Sequence, residues 1–314
     1  MAEDFHRYLR AKRAVDDRSL DRRLVERLRD GLAERAAGRE GPLRVLEVGA
    51  GVGTMIARCI EWGVLPGGRV EYTAVDADSA AAQAIPGHLS EWAAGRDIEA
   101  TAGDGTGTDL PGVELAGPTR TVTVEPVAAE ATPFVAADDR EWDLLVGAAL
   151  LDIVPLDRLP RLLSALAPGG YWYFPITFDG GTCFVPDHPA DDAVERSYHR
   201  HMDGKHGGDS RAGSHTLQRL QSIDAATIDG AAGSDWIVRP VGGGYPGDEG
   251  VFLRYILDTV ESALGEFDRR GRLDDGTLAD WLSTRREQAE NGELLYLTHQ
   301  LDLLGRYRKS ERSE

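Results

Sequence analysis

Three stretches of this 314-residue chain carry residue types whose spacing permits chemistry. In "RVLEVGAGVGTM" (44–55) an acid and three glycines alternate as Glu47-x-Gly49-x-Gly51-x-Gly53, directly after an apolar run. A strand that ends this way and enters a helix brings bare backbone N–H groups, and the positive end of a helix dipole, to whatever lies over the strand's carboxyl edge. That is an arrangement for holding a cofactor. In "GAALLDIV" Asp152 stands inside an apolar run, where desolvation raises a carboxyl group toward the range of a general base. Its alternative role is to cap the turn that follows. The third stretch concentrates His188, His199, His201, His206 and His215, five of eight histidines. Histidine titrates near neutrality and is the commonest general base, so His199 and His201 are the other catalytic candidates. With Asp203 and His206 they can also be written as a metal set, but the spacing matches no strong zinc pattern and no metal is expected.

The elements that must position these residues can be read from periodicity. In "SLDRRLVERLRDGLAERAAG" Leu20, Leu24, Val25, Leu28 and Leu32 share one face of a helix, with Ser19 as its N-cap. The segment before it is charged on nearly every side; a solvated face accounts for it, with Tyr8, Lys12, Arg13, Asp16, Asp17 and Arg18 as residues able to face a ligand. From Pro42 strands and helices alternate: "LRVLEVG", "GTMIARCIEWG", "RVEYTAVD", then a helix with a break expected at Pro86. That alternation predicts an α/β Rossmann-like doubly wound sheet, mostly parallel. A glycine-rich excursion over about 95–120 reads as an inserted β-hairpin leading into "TVTVEPVAA". "WDLLVGAALL" and "YWYFPITF" read as further buried strands, with Tyr171, Trp172 and Tyr173 as core. Residues 178–215 read as a lid loop, in which Lys205 or Arg211 would meet an anionic substrate if they are more than solvated charge. "HTLQRLQSIDAATI" reads as a helix and "DWIVRPV" as a strand, followed by two helices over about 250–291. A last, antiparallel strand carries Leu295, Leu297, Leu301 and Leu303 on one face at period two. The organisation expected is an N-terminal helical cap over 1–40, a cofactor-binding core over 41–178, and the lid, remaining strands and C-terminal helices of the same domain over 179–314.

Composition narrows the partners. A net charge of −18 argues against nucleic acid, whose binding rests on neutralised phosphates, and leaves a small molecule as the expected substrate. No apolar run approaches the roughly 18 residues of a membrane span, and the charged start is unlike a secretory signal. Two cysteines, Cys59 and Cys183, are too few for a disulfide framework. A cytoplasmic protein with no membrane partner is the expectation.

The dinucleotide fingerprint fits the glycine loop poorly, because its third glycine would fall on Thr54. With Glu47 two residues before Gly49 and Gly53 two after Gly51, the loop instead resembles motif I of the class I S-adenosylmethionine (SAM)-dependent methyltransferases. "EYTAVDADS", "EWDLLVGAALLDIV" and "LAPGGYWYF" are similar to that family's second strand, fourth strand and turn into the fifth, so the resemblance covers about 43–178. It implies SAM as cofactor, with Gly49, Ala50, Gly51 and Gly53 along its methionine part and Glu47 anchoring the loop or the amino group. It also implies that Asp76 accepts hydrogen bonds from the ribose, with Ala77 beside it. Gly147 belongs to the loop after the fourth strand, next to the transferring methyl. At the third strand the chain departs from the family pattern. Either Glu130 and Ala131 or Asp104 and Gly105 would meet the adenine, and Glu130 is preferred because it keeps a normal interval to the next strand. The implied activity is methyl transfer to a small molecule. A nicotinamide-dependent oxidoreductase and a noncatalytic SAM-binding protein are the alternatives.

Overall fold

A computed structural model describes residues 2–103, 110–267 and 274–308. Two helices come first, α1 (Ala2–Ser19) and α2 (Arg22–Ala37). Asp21, not Ser19, caps the second: its carboxylate accepts from the Leu24 N–H at 3.0 Å, while the Ser19 hydroxyl ends α1 by donating back to the Val15 carbonyl. The alternating region then runs β1 (Leu43–Val48), α3 (Thr54–Glu61), β2 (Gly68–Asp76) and α4 (Ser79–Ala93). Helix α4 does not break at Pro86. Ile85, Leu89 and Trp92 are buried on its inner face and hold it in place through the proline.

The inserted hairpin is β3 (Glu99–Gly103) and β4 (Gly112–Ala116), and it leads into β5 (Arg120–Ala128). Next come α5 (Ala131–Ala137), β6 (Trp142–Val146), α6 (Leu159–Leu163) and β7 (Leu166–Val185). The expected lid over 178–215 is instead regular structure. β7 continues to Val185, because β10 pairs with it along most of its length, and α7 (Asp191–Asp203) and α8 (Ala212–Gln221) follow. The remainder is β8 (Ala226–Gly233), β9 (Trp236–Val238), α9 (Glu249–Phe267), α10 (Asp275–Glu290) and β10 (Leu295–Tyr307). β8 occupies the end of a segment expected to be helical.

The strand order is β3-β4-β5-β2-β1-β6-β7-β10-β8, with β9 also against β10. β5, β2, β1, β6 and β7 are parallel, and β10 runs antiparallel between β7 and β8. This is the mostly parallel, doubly wound sheet with an antiparallel last strand that the alternation predicts. Alternate residues of its central strands enter opposite cores, Val45 and Leu144 on one face, Leu46 and Leu145 on the other. The order reverses between β1 and β6, and in such sheets ligands bind in the crevice outside the strands' carboxyl ends at that point.

Helices α1 and α2 are fastened to this frame by ion pairs. Asp143 of β6 is paired with Arg35 of α2 and with Arg39 just beyond its end, and accepts from the Arg44 N–H at 2.9 Å. At the other end Asp302 of β10 accepts from the Asp21 N–H at 2.8 Å and from the Ile176 N–H at 2.9 Å. On β10 the expected leucine face is only partly buried at Leu295, Leu297 and Leu301, with Leu303 fully buried. Tyr296, Thr298, Gln300 and Asp302 of the other face are buried, so this strand turns polar side chains inward. Among the described residues, no helix is long and apolar enough to cross a membrane.

Candidate active site

A cavity of 1380 Å³ opens at the switch point, running from the carboxyl ends of β1, β2 and β5 to α1, α7, α9 and β10. A pocket for one small ligand measures roughly 300–1,000 Å³, so this one has room for two.

Its first end is the glycine loop. Gly49 and Gly51 have φ of +72° and +54°, and a Cβ on Gly49 would lie 2.8 Å from Leu150 Cδ1. The bare N–H groups expected there are not bare. Gly49 and Ala50 donate to the Val75 carbonyl at 2.9 and 3.1 Å, Gly51 to Asp76 Oδ2 at 2.7 Å, and Gly53 to the Ala50 carbonyl at 2.9 Å. The loop is closed onto β2, because β1 and β2 end in register and the β2 terminus supplies acceptors. A phosphate cradle needs those amides directed outward.

What faces the cavity here is carboxylate. Asp76 receives Gly51 on one oxygen and the Asp78 N–H at 2.8 Å on the other, leaving about two of its roughly four acceptor positions open. Ala77 lies beside it on the wall. Glu47 is buried and accepts from the Tyr72 hydroxyl at 2.7 Å; burial pushes its carboxyl up to about 8, against the pull of Tyr72 and Arg58. Arg58 of α3 donates from Nε to Asp17 at 2.6 Å, while its buried Nη2 has no hydrogen-bond partner. Glu130, the N-cap residue of α5, follows β5 beside Asp76, its exposed carboxylate 3.9 Å from Arg158, and Ala131 lies next to it on the wall. Asp104 and Gly105, the other candidates for that position, lie outside the described residues. Gly147 does not line the cavity: it is buried at the end of β6 against Leu150 and Phe174, and Ala148 and Ala149 take the wall position instead.

The second end is aromatic. Tyr8 of α1, Tyr198 of α7, Tyr255 of α9 and Tyr296 of β10 line it together with Trp236, and Tyr8 stacks on Tyr255 with ring centroids 3.9 Å apart. Burial raises the hydroxyls of Tyr8, Tyr198 and Tyr296; Asp16 adds to the rise at Tyr8, Asp152 at Tyr198, and neighbouring tyrosines at all three. Asp152 lines this end with Oδ1 buried and unpartnered, and burial lifts its carboxyl to about 6. Gln300, 2% exposed, adds a buried amide oxygen without a partner. Two non-glycine residues of the wall, Ala149 and Ile176, have φ of +49° and +57°. Such a conformation is a true outlier for a β-branched residue, and the Asp302 carboxylate holds it through the Ile176 N–H.

The two histidine candidates fall elsewhere. Helix α7 presents Glu195, Tyr198 and Met202 to the cavity, at three-to-four spacing. One step of helix carries His199 off that face, against the edge of the Phe178 ring, and His201 points away as well. Burial lowers the His199 pKa. His188 and His206 are the histidines that do reach the wall, whereas Lys205, Arg211, Arg13, Asp17 and Arg18 do not. Of the charged residues proposed on α1, only Lys12 and Asp16 line it. Among the described residues there is no group of three or more His, Cys, Asp or Glu able to hold a metal ion.

Fold and site together define a doubly wound α/β protein with a two-ended ligand cleft at its switch point. No family model matches the chain, and no curated protein matches it. Among solved structures 483 chains match. They include the plantazolicin methyltransferase BamL in complex with a triazolic desmethyl analogue and SAH, 11% identical over 96% of this chain and 90% of that one, with a TM-score of 0.41. A SAM-dependent methyltransferase from Geobacter sulfurreducens with S-adenosylhomocysteine is 12% identical over 89% and 91%, with a TM-score of 0.38. The [4+2]-cyclase SpnF is 14% identical over 90% and 80%, with a TM-score of 0.41. Identity this low carries no reaction from one protein to another.

Proposed function

We propose that this chain is a SAM-dependent methyltransferase acting on a small molecule. The observation that carries the reading is the closed loop: the Gly49, Ala50 and Gly51 amides are spent on Val75 and Asp76, and acidic side chains rim the space above it. Such a site repels a pyrophosphate and suits a cation that bears a vicinal diol and an amino-acid end. Two groups on this wall match that ligand. Asp76 has acceptor capacity left for two ribose hydroxyls and Glu47 a carboxyl for the ammonium, while Arg58 is already paired with Asp17 and Asp16. Glu130 and Ala131 would border the adenine.

When bound, SAM supplies a methyl group already activated on sulfur. The chain's own tasks are then to align an acceptor, exclude water and accept a proton where the acceptor carries one. The cavity wall of α1, α7 and α9 encloses the acceptor, and Asp152 Oδ1 is the group placed to take the proton. A nicotinamide cofactor is disfavoured by the spent amides. We place the reaction in the cytoplasm, with neither nucleic acid nor membrane as partner.

Calorimetric titration with SAM, S-adenosylhomocysteine and NAD tests the reading. One-site binding of the first two is expected, weakened about 100-fold in Asp76→Ala, since two hydrogen bonds to a charged group are lost at roughly 1.5 kcal/mol each. Failure of the folded protein to bind SAM, or binding of NAD in its place, would overturn it.

A further inference from the structure

The second end of the cavity is built for a particular charge. Lys12 is the Lys side chain placed there, and it is engaged, its Nζ 2.7 Å from Asp16. Asp152 is left without a cationic partner at contact distance, its Oδ1 buried and unbonded. Tyr198 lies close enough to feel its charge, and Tyr198 in turn neighbours Tyr255 and Tyr296, which line the same cavity with Tyr8 and Trp236. The wall already accommodates one ammonium, since Lys12 Nζ sits 5.0 Å from the Trp236 ring centroid while paired with Asp16. A second carboxylate in the same aromatic enclosure calls for a second ammonium. Ten acidic side chains and three Lys or Arg line the whole cavity, whereas the chain as a whole has 53 and 35, so the bias exceeds that of the protein.

Resting on the methyltransferase reading for its role, we propose that the acceptor is a small molecule with a cationic amine, its ammonium held between Asp152 and the tyrosines of the second end. Aromatic faces and a carboxylate attract such a head group together, and a neutral or anionic molecule of the same shape gains from neither. Gln300 Oε1 offers a further acceptor for an N–H or O–H of the same molecule. Asp152 then has two uses. As carboxylate it fixes the ammonium; by taking one N–H proton it leaves the nitrogen with the free lone pair that a nucleophile needs.

The test is binding of matched pairs to the full-length protein without SAM: choline against 3,3-dimethylbutan-1-ol, and 2-phenylethylammonium against 2-phenylethanol, by calorimetry and saturation-transfer NMR. The cation of at least one pair is expected to bind at least tenfold tighter than its neutral partner. Asp152→Asn should remove most of that preference, and Tyr198→Leu part of it, with SAM affinity and a cooperative unfolding transition retained in both. Equal affinities, a preference for the neutral partner, or no binding of either cation overturns the inference. SAM binding without cation preference would sink this inference alone. Cation preference without SAM binding would sink the methyltransferase reading and leave an amine-binding site.

Discussion

The two ends of the cavity are built on opposite plans. At the glycine end one local motif does the work: β1, the loop and the end of β2 lie within 43–78, and the Gly49, Ala50 and Gly51 N–H groups donate to the Val75 carbonyl and the Asp76 carboxylate before any ligand arrives. At the aromatic end the wall is gathered from α1, α7, α9, β9 and β10, whose contributions span Tyr8 to Gln300, and polar atoms of Asp152 and Gln300 are left unsatisfied. An end that is closed on itself can bind one fixed shape and be reused. Unsatisfied buried groups cost free energy until a ligand completes them, so the second end is where selectivity resides.

The sharpest way to separate the ends is Asp152→Asn. Turnover should fall about 10²- to 10⁴-fold, the usual worth of a positioned base, with SAM affinity unchanged. Wild-type turnover should rise with pH to a plateau, with its midpoint near the value of about 6 to which burial lifts Asp152, because only the ionised carboxylate accepts a proton. The groups facing it are Lys12, which opposes the rise, Asp209, which adds to it, and Tyr198. The asparagine variant should lose that limb. If turnover and pH profile are unchanged, the aromatic end has no base.

Asp302→Asn probes the junction between the two plans. One carboxylate holds both the Asp21 N–H at the α1–α2 corner and the Ile176 N–H at the kinked wall. The amide keeps one acceptor and turns an N–H group toward the other donor, so about 1–3 kcal/mol of stability should be lost in chemical denaturation. Acceptor affinity should fall with it and SAM affinity should not. A loss of SAM binding as large as that of the acceptor would mean that the two ends are one unit.

How much of this was legible follows from the same contrast. Glu47, Gly49, Gly51 and Asp76 are close in sequence and their types are dictated by backbone geometry, so the parallel core and the loop could be read directly. The closure of the loop onto Val75 could not, because a glycine spacing does not say where an N–H points. Tyr198, Tyr255 and Tyr296 stand in three separate elements, and each alone looks like a core aromatic. The span 178–215 misled through its glycine, aspartate and histidine content. Pairing with β10, more than 100 residues later, makes its first part strand, and no local signal carries that. On β10 the leucines were only half a clue: Leu303 is buried and Leu295, Leu297 and Leu301 partly so, while the other face turns Thr298, Gln300 and Asp302 inward.

A smaller effect sharpens the glycine end. Glu47→Gln keeps an acceptor for the Tyr72 hydroxyl but removes the titratable carboxyl. Because burial lifts the folded-state pKa to about 8 from an ordinary 4.5, the folded protein retains this proton where the unfolded chain has released it. Wild-type stability therefore falls as pH rises between those two values, and the glutamine variant escapes that loss. Its melting temperature should gain on the wild type by a few degrees between about pH 5 and pH 8.5, while its SAM affinity drops. No pH-dependent gain would mean that Glu47 is already ionised beside Arg58.

The smallest effect expected is that of His199→Ala and His201→Ala. Neither side chain reaches the cavity, so kcat of the folded variants should stay within about twofold of wild type, whatever burial does to their pKa. Tyr198→Phe, one helical step away on the wall, should change acceptor KM by more than either. The comparison is internal to α7, where 100° of rotation separates neighbours, so a general disturbance of the helix would move all three together. A loss of kcat in His199→Ala larger than that in Tyr198→Phe would show that α7 turns its other face to the acceptor during turnover. The aromatic end would then be a resting arrangement, not the one that binds.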